Sequence, residues 1–160
     1  MIERGWRPGL VGAVVRAHGE YYAREWKFGA FFEAKVAAEM GAFVGRCGAR
    51  DALLSAWDGD AFLGALTIDG GDPALAAGEA HLRWFIMADA ARGRGIGRQL
   101  MAAGMGFLRE AGFASCYLTT FAGLDAARRL YDEAGFVLES EAEAESWGTR
   151  VREQMFRWRK

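Results

Sequence analysis

Between Arg92 and Arg98 the chain places three arginines and three glycines in seven residues, "RGRGIGR", directly ahead of a run with helical periodicity. Both residue types are costly there: glycine is a poor helix former, and positive charge at a helix N-terminus opposes the macrodipole. A bound anion removes both objections. The first helical N–H groups have no intrahelical partners, glycine lets the backbone approach a ligand, and guanidinium groups supply counter-charge, so the stretch suits a phosphate group. Two common phosphate loops are excluded residue by residue. A P-loop ends in Gly-Lys-Ser/Thr where this chain has Gly97-Arg98-Gln99, and a GxGxxG dinucleotide fingerprint would need glycine where Arg98 or Leu100 stands.

Such a turn needs a strand before it and a helix behind it. "HLRWFIM", His81 to Met87, reads as the strand, and a helix running to about Ala111 buries Ile96, Leu100, Phe107 and Leu108. Downstream follow a buried strand at Cys116 to Phe121, a helix over "LDAARRLYDEAG", a strand from Phe136, and an alternating segment at Val151 to Trp158 that reads as the last strand. Upstream, spacings of three and four predict a helix from about Gly9 to Trp26, softened near Gly19. A second helix follows from Gly29 to Gly45, with Phe32, Val36, Met40, Phe43 and Val44 on one stripe. Asp51 to Trp57 and Phe62 to Ile68 flank Asp58-Gly59-Asp60, a hairpin signal, and Glu3 to Arg7 could add a short strand. The order implies an α/β (α+β) fold, with a mixed, mostly antiparallel central sheet of roughly six to seven strands and helices on both faces.

Bulk properties narrow the field. A chain of 160 residues, 52% hydrophobic and with two prolines and no linker-like stretch, suits a single domain over residues 1–160. A net charge of −1 gives no general attraction to nucleic acid or to an anionic membrane, so no nucleic-acid or membrane partner is expected. Cys47 and Cys116 are far apart without CxxC spacing, which predicts reduced cysteines and no metal. With no basic-apolar leader and no apolar run long enough to span a bilayer, the expected location is cytoplasmic.

Arg92-Gly93-Arg94-Gly95-Ile96-Gly97 matches R/Q-x-x-G-x-G/A, and "ARRLYDEAGF" (Ala127 to Phe136) matches A-x-x-L-Y-x-x-x-G-F in the expected order behind a strand. On these motifs the chain resembles the GNAT superfamily of acyl-CoA-dependent N-acetyltransferases, over essentially its whole length. More narrowly, "HLRWFIMADAARGRGIGRQLM", "YLTTFAGLDAARRLYDEAGF", the later "WG" and "VREQMF" resemble the acetyltransferase domain often fused behind a MarR-type winged helix, here without the winged-helix half.

The resemblance implies the GNAT fold and acetyl-CoA as co-substrate. Its pyrophosphate would rest on backbone amides from Arg92 to Arg98, with Arg92, Arg94 and Arg98 adding charge and Gly93, Gly95, Ile96, Gly97 and Ala127 completing the contact. The pantetheine arm would pair with backbone at Phe85, Ile86 and Met87, and the Phe85 N–H would polarise the thioester carbonyl. Tyr131 stands at the family's tyrosine position, a phenol able to protonate a departing thiolate. For the base, counting back 11 residues from Arg92 reaches His81, where some members carry a glutamate; Glu79 is the rival, and water alone is a third option. Leu124 occupies a position where the family often places a cofactor-binding asparagine. Either Arg128 or Arg129 could approach the 3'-phosphate, or both could be solvated.

Acceptor recognition is expected from the first two helices and the last hairpin. Tyr22, Trp26 and Trp147 are candidate pocket walls, with Glu20, Glu25 and Glu33 in the same aromatic stretch as candidate partners for a cation. The reading is an N-acetyltransferase acting on a small-molecule or peptide primary amine in a ternary complex, with a homodimer as one open assembly. The alternative is a catalytically weak acyl-CoA-binding sensor or partner-binding module.

Overall fold

The computed structural model describes residues 1–160. Its elements are β1 (Ile2–Arg4), α1 (Leu10–Trp26), α2 (Ala30–Arg46), β2 (Ala52–Asp58), β3 (Ala61–Asp69), β4 (Glu79–Met87), α3 (Ile96–Glu110), β5 (Ser115–Phe121), α4 (Asp125–Ala134), β6 (Val137–Ala144) and β7 (Val151–Arg159). The strands form one seven-stranded sheet in the order β1-β2-β3-β4-β5-β7-β6, and only the β4–β5 pair is parallel. The mixed, mostly antiparallel sheet expected from the sequence is therefore present. No helix is long and apolar enough to cross a membrane.

Side-chain alternation along the strands divides the core. Phe85 and Met87 of β4 pack with the cluster around Leu66, Leu82, Leu100, Leu108 and Phe156, beneath α3 and α4. Trp84 and Ile86 pack with Leu10, Val14, Met40 and Phe43 of α1 and α2 on the other face. Burying each such side chain stabilises the fold by about 1.5–3 kcal/mol relative to exposure, which holds the helices on both faces.

Two local expectations change. α1 runs unbroken through Gly19, because that glycine permits close packing: a Cβ there would lie 2.8 Å from Cδ of Glu33 on α2. β1 ends at Arg4, not Arg7, because Gly5 takes φ 107° and turns the chain.

One departure from regular pairing makes the site. β4 pairs with β5 only at Glu79↔Ser115, Ala80↔Cys116 and His81↔Tyr117, while β5 continues against β7 as far as Phe121↔Glu153. Beyond His81 the two strands separate, leaving one edge of β4 without a strand partner. Against β3, Arg83 pairs with Thr67 and Ile86 with Ala65, so Trp84 and Phe85 share the single residue Leu66. Trp84 adopts φ 48°, and this bulge bends β4 at the mouth of the opening.

Candidate active site

The glycine-arginine turn closes one side of the opening. Gly95 is the N-cap of α3, and both it and Gly93 take φ 75°, a conformation glycine adopts without strain. No atom would lie within 4 Å of a Cβ at either position, so the turn presents an open backbone floor. Above it is a cleft of about 420 Å³ between β4, the turn and α4. Every residue named for the cofactor lines this cleft except Arg94 and Arg128, which the structure does not bring to it.

The arginines hold provisional partners. Arg92 Nε donates to Asp89 Oδ1 at 3.2 Å, and its guanidinium lies 4.6 Å from the centroid of the Tyr21 ring. Arg98 pairs with Glu133 at 3.0 Å. These pairs are exposed and worth little, so a phosphate can compete for the same guanidinium groups. Arg129 lines the cleft, whereas Arg128 is turned to Asp132 at 3.1 Å and to the Phe156 ring. Leu124 also lines the cleft, supplying apolar surface where an asparagine would have bonded. Open glycine backbone, nearby cations and an unpaired strand edge fit a pyrophosphate joined to an extended amide-bearing arm.

A second cavity, of about 340 Å³, is lined by residues of β4 and β5 flanking the same gap. Tyr22, Phe85 and Tyr131 line both, so the two cavities meet at these three residues. His81, named as the base, and Trp147, named as a pocket wall, both line the second cavity. Two candidates do not. Trp26 packs edge-on against Phe121 at 4.8 Å between centroids and covers Gly123. Glu79 lies where β4 and β5 are still paired, and its carboxylate is bound by Arg157.

The sequence reading also missed residues. Lys35 and Glu39 join Phe32 and Val36 on the face of α2 that lines the cavity, with His18 from α1, Arg83 from β4 and Glu153 from β7. Helical spacing from the already identified Phe32 could have found the α2 pair. Glu39 accepts from both Arg83 at 2.8 Å and Lys35 at 2.5 Å. Glu20, Glu25 and Glu33 are not among the lining residues.

Burial dominates the ionisation of the central groups. Desolvation pushes Tyr131 and Tyr22 well above the ordinary phenol range, so both stay protonated. Neither hydroxyl has a partner in the protein, and neither is sealed from the cavities. His81 stacks on Tyr117 at 4.2 Å, and burial together with Arg83 lowers its pKa to about 3. Burial lowers His18 to about 4, against a bond to Val14 that acts the other way. On Asp69, burial raises the pKa, but hydrogen bonds from Arg46 and Arg83 outweigh it and hold the carboxyl below its usual range.

These shifts fix a pH dependence of stability. An unfolded histidine takes up its proton near ~6.5, so between there and the folded values of about 4 and about 3 the unfolded chain binds more protons. The histidine contribution is therefore complete above that point and is lost as pH falls through the window. Asp69 adds a loss that begins only in the carboxylate range. Urea midpoints are expected to fall between neutral pH and roughly pH 5 in the wild type and to fall less in His81→Phe; an equal slope in both would remove His81 as a source.

The chain matches the acetyltransferase (GNAT) family over residues 14–136. No curated protein matches it. Among solved structures it resembles ribosomal-protein-alanine N-acetyltransferase from Brucella melitensis, at 16% identity and TM-score 0.80 over 100% of this chain and 99% of that one. It also resembles a GCN5-related N-acetyltransferase from Kribbella flavida, at 19% identity and TM-score 0.77 over 99% and 98% of the two chains. A third is yncA from Salmonella typhimurium, solved with its cofactor acetyl-CoA, at 14% identity and TM-score 0.74 over 99% and 92%. At these identities the structures establish the shared fold, while the family match spans the turn, the cleft and the tyrosine helix: the chain belongs to the GNAT acetyltransferase family.

Proposed function

We propose that this acetyltransferase moves an acetyl group from acetyl-CoA to a primary amine by direct attack in a ternary complex. The observation that carries the reading is the junction: Phe85 and Tyr131 line both the phosphate-binding cleft and the second cavity, so a donor in one and an acceptor in the other would meet there. When bound, the donor supplies a thioester carbonyl and a thiolate leaving group.

The chain's own groups divide the remaining work. The turn from Arg92 to Arg98 holds the pyrophosphate, Arg129 is the better placed of the α4 arginines for the 3'-phosphate, and the free edge of β4 aligns the arm. Phe85 N–H donates to the carbonyl oxygen, where a fixed dipole costs no reorganisation. As the N–C bond forms and the C–S bond breaks, Tyr131 gives its proton to sulfur and takes one back from solvent through the cavities, where its raised pKa keeps it protonated. The same desolvation that raises the phenol's pKa also raises the proton affinity of a thiolate beside it, so the two stay matched. The nitrogen's surplus proton leaves through His81, which at a pKa of about 3 relays the proton to solvent rather than storing it.

A panel of primary amines incubated with the protein and acetyl-CoA tests the reading. Free thiol is expected to appear with at least one acceptor class, together with a matching acetylamide by mass. Tight acetyl-CoA binding without thiol release from any amine would instead favour a ligand-binding module.

A further inference from the structure

His18 is absent from the reaction just described, yet it is among the least ordinary residues of the second cavity. Its side chain belongs to α1, one turn before Tyr22, and only 5% of the residue is exposed. Nδ1 lies 2.8 Å from the carbonyl oxygen of Val14. A carbonyl only accepts, so Nδ1 carries the proton and Nε2 is left with a lone pair. Nε2 has no partner in the protein, and it is not among the sealed, unpartnered atoms, the sole example of which is Thr67 Oγ1. Its outlet is the cavity His18 lines.

The ring is also fixed in orientation. It lies nearly parallel to Tyr22, at 6.1 Å and 19°, and tilted to Phe32 at 6.3 Å. Tyr22 lines both cavities, so Nε2 sits one helical turn from the junction. A histidine serving only as core would be expected to satisfy both nitrogens or to be replaced by an apolar ring of the same shape.

The geometry points to His18 as an acceptor-binding residue: its Nε2 accepts a hydrogen bond from the N–H of a primary amine whose flat apolar body lies among Tyr22, Phe32, Phe121 and Trp147. The assignment rests on the acceptor-cavity reading above and deepens it by naming the substrate class, aralkyl amines. The cavity's charges support a residue that binds without charge. Lys35 and Arg83 face it from α2 and β4, Glu39 and Glu153 from α2 and β7, and the two signs balance. An imidazole held neutral by burial adds no cation to repel an incoming ammonium, and a lone pair aimed inward selects for a nitrogen bearing hydrogen.

The chain has two histidines, so 15N-imidazole spectra are simple to assign with His18→Phe and His81→Phe. With phenethylamine as probe and free CoA holding the donor cleft, His18 is expected in the Nδ1–H form from about pH 6 to pH 8, with its Nε2 resonance moving as the amine is added. His18→Phe is expected to lower kcat/KM for phenethylamine by about tenfold or more, leaving acetyl-CoA affinity within about twofold. His18→Gln, which offers an oxygen near the place of Nε2, recovers most of the loss. A protonated Nε2, a resonance unmoved by the amine, or kcat/KM in His18→Phe within about twofold of wild type would each overturn the assignment. Failure of the wild-type protein to bind acetyl-CoA would sink the transferase reading alone, since the tautomer and the amine titration can also be read without CoA and without turnover.

Discussion

Gly95→Glu is expected to weaken acetyl-CoA binding by about two orders of magnitude while leaving the protein folded. The residue caps α3 at φ 75°, where a side chain costs about 1–2 kcal/mol of backbone strain. Nothing lies within 4 Å of a Cβ at this position, so the ligand-free fold meets no clash. The carboxylate would stand where the proposed diphosphate rests, and like charges at close range in a half-desolvated cleft cost binding about 2–3 kcal/mol. The strain is present with or without ligand and lowers stability, so calorimetry with acetyl-CoA reads the charge penalty, and Gly95→Ala, which carries the strain without the charge, is the control. Unchanged affinity in Gly95→Glu would withdraw the pyrophosphate assignment, because Gly95 is part of the open backbone floor proposed to receive it.

Tyr131→Phe is expected to lower kcat by about 10²–10³-fold with acetyl-CoA affinity nearly unchanged. The ring's packing against Phe85, Phe136 and Phe156, at 6.1, 6.2 and 5.9 Å, survives the substitution. What is lost is one unpartnered hydroxyl at the junction of two cavities, and with it the proton proposed for the leaving thiolate. Burial keeps the phenol protonated throughout the working range, so the wild-type pH–rate profile should show no basic limb from Tyr131 below ~10. Equal losses of turnover and donor affinity would reassign the residue to packing. Tyr22→Phe is the useful comparison, since Tyr22 reaches the same junction with an equally free hydroxyl.

The two base candidates show where sequence reasoning stopped. Glu79 and His81 are two residues apart on β4 and share a face, so periodicity cannot separate them. The sheet does: β4 is still paired with β5 at both, but the strands part immediately after His81. Across that closed section, Arg157 is the β7 partner of Tyr117 and takes the Glu79 carboxylate, while His81 reaches the cavity at its edge. The aromatic run in α1 and α2 divides in the same way. Tyr22 faces the junction, whereas Trp26, one turn later, is covered by Phe121.

Gly19 teaches a related lesson. Its helix-softening reading followed from intrinsic propensity, and the structure gives the residue a packing role against Glu33 that propensity does not contain. His18 was passed over because a single histidine on an apolar helix face carries no pattern. Its meaning depends on which nitrogen is satisfied and on what the other one faces.

The sequence by itself determined the element order, the sheet class and the open glycine turn of "RGRGIGR", whose character suits a phosphate. These follow from local properties: side-chain period, glycine's access to positive φ, and the unpaired N–H groups at a helix start. Only the tertiary structure decided the cavity proposed for the acceptor. That cavity is assembled from α1, α2, β4, β5, α4, β7 and the loop at Trp147, elements far apart in the chain. Its shape depends on where two parallel strands stop pairing, which is set by long-range packing and leaves no trace in local spacing.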